Sequence, residues 1–225
     1  WIWTAAIVLD VATPAVRGAD GFRVHAGHFA ERHGLIVIIA LGESLVALGV
    51  AASGVSPSVQ IIVLCLVGAL LASLLYFAYF RRTVPVLEYG LEIRSGAAAA
   101  RYARDAFSFL HSLTVGGIVL VALALKKTAG TVAEDGLLGH LHGIAPAALV
   151  LGAGSVVLSL VLMRLRTHAP VPALLWLSLV LAIVAGLSAL WLPVLAVMAL
   201  LALAFLCAAL RTGTSGRQPA FSETG

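Results

Sequence analysis

Long apolar segments separated by short polar ones make up most of the chain. Each segment approaches or exceeds the roughly 18 residues that indicate a membrane-spanning helix. This pattern predicts an all-α fold, a polytopic transmembrane helical bundle of about seven spans. A single helical domain would cover residues 1–210, and a disordered cytoplasmic tail would follow at 211–225. The predicted spans are about 1–16, 34–53, 58–80, 105–126, 143–163, 171–189 and 191–210.

The first and the last predicted spans each lead to a further expectation. The first span begins at Trp1 instead of a methionine, and no charged segment precedes it. That span is therefore expected to be truncated and the chain to be a fragment of a longer protein. The last two spans form one apolar stretch of about 40 residues, which as a single helix would be about 60 Å long, twice the hydrocarbon thickness. A turn between Ser188 and Pro193 is therefore predicted.

Composition and charge support the membrane interpretation. The chain is 61% hydrophobic and 11% charged, whereas soluble domains are about 25% charged. No nucleic-acid-binding module is recognisable, and the basic residues lie at span ends. One set of connections holds twelve basic residues and the other only two, so the positive-inside rule places the larger set and the C-terminus in the cytoplasm. The twelve are Arg17, Arg23, Arg32, Arg81, Arg82, Arg94, Arg101, Arg104, Arg164, Arg166, Arg211 and Arg217, and the two are Lys126 and Lys127.

The segment 81–104, "RRTVPVLEYGLEIRSGAAAARYAR", is the longest connection. Its charged residues are interspersed with Val, Leu, Ile and Tyr, which is typical of an amphipathic helix at the membrane surface. A solvated linker that leads into the next span fits the same pattern equally well. Next to Arg81, the aromatic residues Phe77, Tyr79 and Phe80 are predicted to lie in an interfacial belt.

Glu43 is the tenth residue of its predicted span, which places it near the middle of the bilayer. An ionisable residue at that depth is costly, so it is expected to face the bundle interior, beside Ser44, and to pair. Two interpretations remain open: Glu43 is a proton or cation site, or it is a protonated carboxyl that hydrogen-bonds between helices. Glycines expected to let helices pack closely are Gly34, Gly42, Gly116 and Gly117.

A second set of polar residues lies at the start of the span "RYARDAFSFLHSLTVGGIVLVALALKK". Arg104, Ser108 and His111 follow the i, i+4, i+7 spacing of one helix face. Arg101 and Asp105 have the spacing of an i, i+4 ion pair. This span and that of Glu43 begin on the same side, so His111 is predicted to lie at a similar depth to Glu43.

A pair between Glu43 and His111 would satisfy both polar groups inside lipid. The two side chains could meet if their helices are neighbours, and they would then exchange a proton. The alternative is that each side chain bonds a different backbone carbonyl or hydroxyl group.

The cluster His25, His28, Glu31 and His33 invites a metal interpretation, because i, i+3 His and Glu spacings occur in bundle metal sites. The pattern lacks H-E-x-x-H and a cysteine ligand, and His33 points away from His28 on a helix. Arg32 in the same cluster also opposes a divalent cation. Interfacial charge pairing is therefore preferred, and no metal site is predicted.

Two stretches resemble the bacterial low-temperature-requirement A (LtrA) membrane-protein family. They are "HFAERHGLIVIIALGESLVALG", which contains a specific "ERxGLxxIIxLGES" core, and "ARDAFSFLHSLTVGGIVLVALALKK". The family's usual acidic, Phe-rich N-terminal stretch of the "ELFFDLVFV" type is absent, which fits either a C-terminal part of a member or a diverged member. The family has no established biochemical activity, so the resemblance implies a membrane protein without a mechanism. The motif residues that it implies are Glu31, Arg32, Gly34, Gly42, Glu43, Ser44, Arg104, Asp105, His111 and the pair Gly116 and Gly117.

Three classes of function are considered for such a chain. The first is a transporter or channel for protons, cations or a small solute, with Glu43 and His111 in its path. The second is a structural or adaptive membrane protein for cold or membrane stress, whose polar residues hold helices together. An intramembrane enzyme is disfavoured, because no Ser-His-Asp arrangement, G-x-S-x-G, zinc motif or cofactor fingerprint is present.

The sequence also leads to expectations about cofactors, partners and cellular location. No catalytic residue, cofactor or nucleic-acid partner is predicted, and the partners are the lipid bilayer and a small ion or solute. The location is the bacterial cytoplasmic (inner) membrane, as a multi-pass protein with a cytoplasmic C-terminus. The oligomeric state is left open.

Overall fold

The computed structural model of the chain describes residues 26–210 together with Ala5 and Leu9. Regular structure in this range is helical, apart from one isolated bridge between His140 and Pro193, so the predicted all-α bundle is confirmed. The rest of the predicted first span and the predicted tail at 211–225 lie outside the described residues. The helices are α1 (Ala26–Ser53), α2 (Val59–Tyr76), π1 (Phe77–Thr83), α3 (Val84–Glu92), α4 (Gly96–Ala103), π2 (Arg104–Phe109), α5 (Leu110–Asp135), α6 (Ala145–Thr167), α7 (Ala173–Ser188) and α8 (Val194–Ala209).

Four helical rods are long and apolar enough to cross a membrane, namely His28–Ser53, Val59–Glu92, Gly96–Asp135 and Ala145–Thr167. Two of them, with 34 and 40 residues, far exceed the roughly 20 residues that a bilayer needs, because α2, π1 and α3 run on without a break and so do α4, π2 and α5. The shorter apolar helices α7 and α8 have 16 residues each. They lie on either side of the turn that the sequence predicts after Ser188.

The rods form a closed ring. Helix α1 packs on α5, α5 on α6, α6 on α7, α7 on α8, α8 on α2, and α2 on α1, while α2 also contacts α5. Helices α5 and α6 approach most closely at a pair of glycines. A Cβ atom on Gly117 would lie 2.8 Å from the carbonyl oxygen of Gly152, and one on Gly152 would lie 2.7 Å from the backbone nitrogen of Val121. Any larger residue at either position would therefore push the two backbones apart.

The segment 84–103 is a helical hairpin and not a linker. Leu87 and Leu91 of α3 and Tyr102 of α4 are buried in a small cluster with Met163 of α6. The hairpin therefore packs one face against the bundle, as the amphipathic alternative requires.

Several arginines lie close together at the end of the bundle that carries this hairpin, and we call it the arginine-rich end. Its arginines include Arg82, Arg94, Arg104, Arg164 and Arg166. Arg94 and Arg166 lie over the Tyr102 ring, and Arg164 donates to the carbonyl of Arg82. The opposite end holds the loop that follows α5, where the backbone N–H of Leu137 donates to Gln60 Oε1.

Large apolar side chains cover the outside of the ring. Ile39 of α1 is 63% exposed, Leu66 of α2 is 66% exposed and Val119 of α5 is 54% exposed. So much apolar surface is typical of helices that face lipid, since lipid tails solvate it as well as a protein core does. The chain is thus an integral membrane protein by the composition of its helices and of its surface.

Candidate functional site

His111 is the buried polar centre of the arginine-rich end. It follows π2 on the first turn of α5 and is 3% exposed. Its Nδ1 atom lies 3.1 Å from the hydroxyl oxygen of Tyr79 on π1, and Tyr79 is itself 2% exposed. Both residues therefore belong to, or directly follow, a π-helical turn, and such turns are frequent at functional sites.

The π1 turn is supported by its own sequence. The hydroxyl of Thr83 donates to the carbonyl of Ala78 at 3.0 Å, five residues back along the chain. This bond satisfies a carbonyl group inside the wider turn. Because a π turn contains an extra residue, it rotates the following side chains relative to a regular helix.

The second ring nitrogen of His111 has no hydrogen-bond partner. Nε2 is buried and makes no hydrogen bond of normal length and angle with a described residue, although the backbone of His33 lies close enough to the His111 ring to interact with it. Burying an unsatisfied polar atom costs about 1–3 kcal/mol. A buried histidine with one free nitrogen is therefore a candidate for binding a proton, a water molecule or a small polar ligand.

His33 of α1 lies edge-on to His111 with ring centroids 5.2 Å apart. Its Nδ1–H donates to the carbonyl of Phe29 at 2.8 Å, which leaves Nε2 as the acceptor nitrogen of a neutral ring. Phe29 and Phe107 pack against the His33 ring at 4.5 and 5.2 Å. His33 is only partly buried, so it lies between the surface and His111. We call His33, Tyr79 and His111 the His111 cluster.

A pair of hydroxyl groups lies farther along α5, where this helix contacts α6. We call the line of buried polar residues from His111 to this pair the polar seam. Thr114, one helical turn after His111, is within 2.7 Å of Ser159 on α6, oxygen to oxygen. Each hydroxyl also lies within hydrogen-bonding distance of a carbonyl of its own helix, so one of the two donates to that carbonyl while the other donates across the pair. Beyond Thr114 the buried positions of α5 are apolar or glycine until Thr128. Among the described residues, the polar seam therefore extends only part of the way through the bundle.

Asp105 is held by two arginines at the edge of the bundle. Arg104 contacts one carboxylate oxygen at 2.9 Å and Arg166 of α6 contacts the other at 3.0 Å. The predicted pair between Arg101 and Asp105 is wrong, because π2 begins at Arg104 and interrupts the i, i+4 spacing, and Arg101 is exposed. The predicted polar stripe does not lie on one uniform face, because Arg104 and Ser108 within π2 are partly buried whereas His111 after it is fully buried.

Glu43 does not meet His111. The buried stripe of α1 runs through Val37, Ala40, Ser44 and Leu48, at helical spacing, and Glu43 lies outside it on the exposed side. No hydrogen bond or ion pair joins its carboxylate to any residue in the described part of the chain. The predicted Glu43–His111 pair is thus not formed, because successive residues of a helix point about 100° apart and the interior side belongs to Ser44.

Two of the four glycines expected at close contacts occupy them. A Cβ atom on Gly34 would lie 3.0 Å from the Phe80 ring, and Gly117 packs against α6. At Gly42 and Gly116 a Cβ atom would meet no atom within 4 Å. Both of these glycines lie on exposed faces, so the close contact predicted for them is absent in the described structure.

The polar start of α1 lies at the surface. His28 and Glu31 are 3.8 Å apart with side chains 86% and 72% exposed, and Arg32 is exposed as well. The hydroxyl of Ser44 donates to the carbonyl of Leu41 in its own helix at 2.6 Å. No group of three His, Cys, Asp or Glu residues is close enough to hold a metal ion within the described range.

Two members of the His111 cluster were not identified as site residues from the sequence. Tyr79 was assigned to an interfacial belt, and this is wrong because Tyr79 is buried against His111. His33 was set aside because it points away from His28, yet that orientation turns it towards α5. The sequence signal that could have identified His33 is its helical spacing from Val37, Ala40 and Ser44, which places it on the buried stripe of α1.

The chain was compared with known proteins. A family model described as bacterial low temperature requirement A protein (LtrA) matches residues 1–210. Neither the curated proteins nor the solved structures contain a match to the chain. The family match covers every element described above and both motif stretches.

Proposed function

The chain belongs to the bacterial low temperature requirement A family, and we propose that this integral membrane protein transports protons, or a solute coupled to protons, by way of His111. The observation that carries the proposal is the unpartnered Nε2 atom of a buried histidine. Histidine is the side chain whose unperturbed charge change lies within the physiological pH range. Ionisable residues inside a membrane bundle typically belong to ion or proton pathways.

His33 provides the route to His111. It is partly buried, its ring contacts that of His111, and its hydrogen bond to Phe29 leaves Nε2 free to accept a proton. A proton taken up at the arginine-rich end could therefore pass from His33 to His111, directly or through a water molecule. Tyr79 then holds the His111 ring in place through Nδ1.

The closed part of the seam lies beyond Thr114. Transport to the other side would require α5 and α6 to separate there, since the buried positions of α5 include no further polar side chain between Thr114 and Thr128. A state closed to one side fits alternating access, in which helices rock about a fixed site. Glu43 has no place in this route, and it remains a candidate only for a separate role on the outer face of α1.

A second candidate is a structural or adaptive membrane protein without transport. The bonds that favour it are hydroxyl pairs between helices, Thr114 to Ser159 at 2.7 Å and Tyr102 to Thr167 at 2.8 Å. Such bonds hold transmembrane helices together without any pathway. In that case His111 and Tyr79 would be one more pair of this kind.

Proton flux separates the two candidates. Protein reconstituted into liposomes with a trapped pH dye is expected to raise the rate of proton entry above that of empty liposomes. His111→Gln should lower this rate at least tenfold, because glutamine cannot carry a proton. His28→Gln is the matched control, since His28 is exposed and outside the cluster, and it should leave the rate unchanged. Equal rates for protein-containing and empty liposomes, under imposed pH gradients and potentials of both signs, would favour the structural candidate.

The orientation of the chain is a further part of the proposal. The twelve-to-two distribution of basic residues supports a cytoplasmic arginine-rich end and a cytoplasmic C-terminus. In a background without Cys65 and Cys207, Ser95→Cys should resist a membrane-impermeant thiol reagent in intact cells and Ala133→Cys should react. Both positions are exposed, so burial does not confuse the result. The opposite pattern of labelling would reverse the orientation.

A further inference from the structure

Two arginines meet at a cleft of the arginine-rich end that the His111 cluster does not use. Arg82 lies on π1 and Arg164 on α6, and both side chains line the cleft together with residues of α7 and α8. The Nε–H of Arg82 donates to the carbonyl of Ala209 at 2.9 Å. Arg164 donates to the carbonyls of Arg82 and Pro170 at 2.9 and 3.3 Å.

These backbone bonds fix both guanidinium groups and leave most of their N–H groups free. A guanidinium has five N–H donors, of which Arg82 commits one and Arg164 commits two within the described structure. Every partner is a neutral carbonyl. No Asp or Glu lines the cleft, and no ion pair joins either arginine to a described residue. Within the described part of the chain, two positive charges therefore lie side by side without a negative one.

The other described arginines of this end have different surroundings. Arg104 and Arg166 share the carboxylate of Asp105. Arg81, the neighbour of Arg82 in sequence, is exposed and lies over the Phe77 ring at 5.8 Å. Arg94 is also partly buried, but it is a single guanidinium that lies over the Tyr102 ring and donates to the carbonyl of Gly90. Among the described residues, the cleft is where two fixed, partly buried guanidinium groups lie together without a carboxylate. Such a site is costly unless an anion occupies it.

We propose that the cleft between Arg82 and Arg164 binds a phosphate group. Arginine pairs recognise phosphate through parallel N–H donors and full positive charge. Apart from Thr83 the remaining lining is largely apolar and includes Leu160, Leu174 and Leu175, so a phosphate attached to an apolar chain fits as well as a free one. The same recognition would serve the headgroup of an anionic lipid or a soluble phosphate compound.

Thermal unfolding of the purified full chain in a neutral detergent tests the site, with phosphatidylglycerol, phosphatidylcholine and inorganic phosphate as probes. Phosphatidylglycerol should raise the Tm of the wild type, and phosphatidylcholine should not, because it lacks net negative charge. Arg82→Gln and Arg164→Gln should each weaken the apparent affinity at least tenfold. Arg81→Gln is the control, since it removes an exposed charge one residue away, and it should bind as the wild type does.

The probes also distinguish the source of the phosphate. Stabilisation by phosphatidylglycerol alone identifies a lipid headgroup, and stabilisation by inorganic phosphate as well identifies a site for free phosphate groups. If Arg164→Gln fails to fold, Arg82→Gln and Arg82→Lys decide by the same criterion, with lysine retaining part of the affinity. The proposal is overturned if no probe stabilises the wild type, if phosphatidylcholine is as effective as phosphatidylglycerol, or if the Arg82 variants bind like Arg81→Gln.

Discussion

The two sides of the first described helix face different surroundings. One side, with Val37 and Ser44, packs into the ring and brings His33 to His111 of α5. The other side, with Gly42 and Glu43, is exposed on the described structure. Both sides are apolar apart from these few residues, so their hydropathy is nearly the same. Only the polar contacts and the fit of small residues distinguish the interior side from the lipid side.

This comparison shows how a membrane helix differs from one at a water interface. In water, an amphipathic pattern reveals the buried face of a helix. In lipid the outward face is apolar too, so an ionisable residue is the only clear indicator of the interior. Among the described residues, Glu43 lies on the exposed side of α1, whereas His111 is buried in the bundle.

The largest effect is expected from glycine substitutions. Gly117→Leu should prevent folding or destabilise the protein by about 3 kcal/mol or more, because the new side chain would overlap the backbone of α6. Gly42→Leu and Gly116→Leu should fold normally, since a Cβ atom at either position meets nothing within 4 Å. Monodisperse yield in detergent and unfolding by sodium dodecyl sulfate measure the difference. Loss of folding in Gly42→Leu would show that the outer face of α1 is a packed interface.

A smaller effect on stability is expected to distinguish His111 from Glu43. His111→Ala should destabilise the protein by about 2–4 kcal/mol, because it leaves a cavity and deprives the Tyr79 hydroxyl of its partner. Glu43→Ala should change stability by no more than about 0.5 kcal/mol, since the carboxylate has no partner among the described residues. The same unfolding assay applies. A larger loss from Glu43→Ala than from His111→Ala would invert the comparison.

Hydropathy predicts most of the described architecture. From residue 34 onwards each predicted span overlaps a described helix, and the excess length of the last apolar stretch predicts the turn after Ser188, where α7 ends. Most of the predicted span 1–16 lies outside the described residues. The boundaries at the arginine-rich end were less accurate. The helix that contains Glu43 begins at Ala26, eight residues before the predicted span, since polar residues there continue the helix outside the hydrocarbon.

The site required information that apolar length does not contain. Nothing in "FAYFRRT" or "RDAFSF" announces a π turn, because the turn depends on tertiary packing and on bonds such as that of Thr83 to Ala78. The turn π2 breaks the predicted contact of Arg101 with Asp105. His111 was identified as a site residue because a buried ionisable group is conspicuous, whereas Tyr79 resembles any aromatic residue at a span end.

The central claim is that His111 has Tyr79, and not Glu43, as its partner. Double-mutant cycles on unfolding free energy test it directly, with Tyr79→Phe, His111→Gln, Glu43→Gln and the two corresponding double variants. The predicted coupling energy between Tyr79 and His111 is about 1 kcal/mol, as for a buried hydrogen bond between helices. The predicted coupling between Glu43 and His111 is below about 0.4 kcal/mol, the limit expected for independent sites. A larger coupling for Glu43 with His111 than for Tyr79 with His111 would contradict the account.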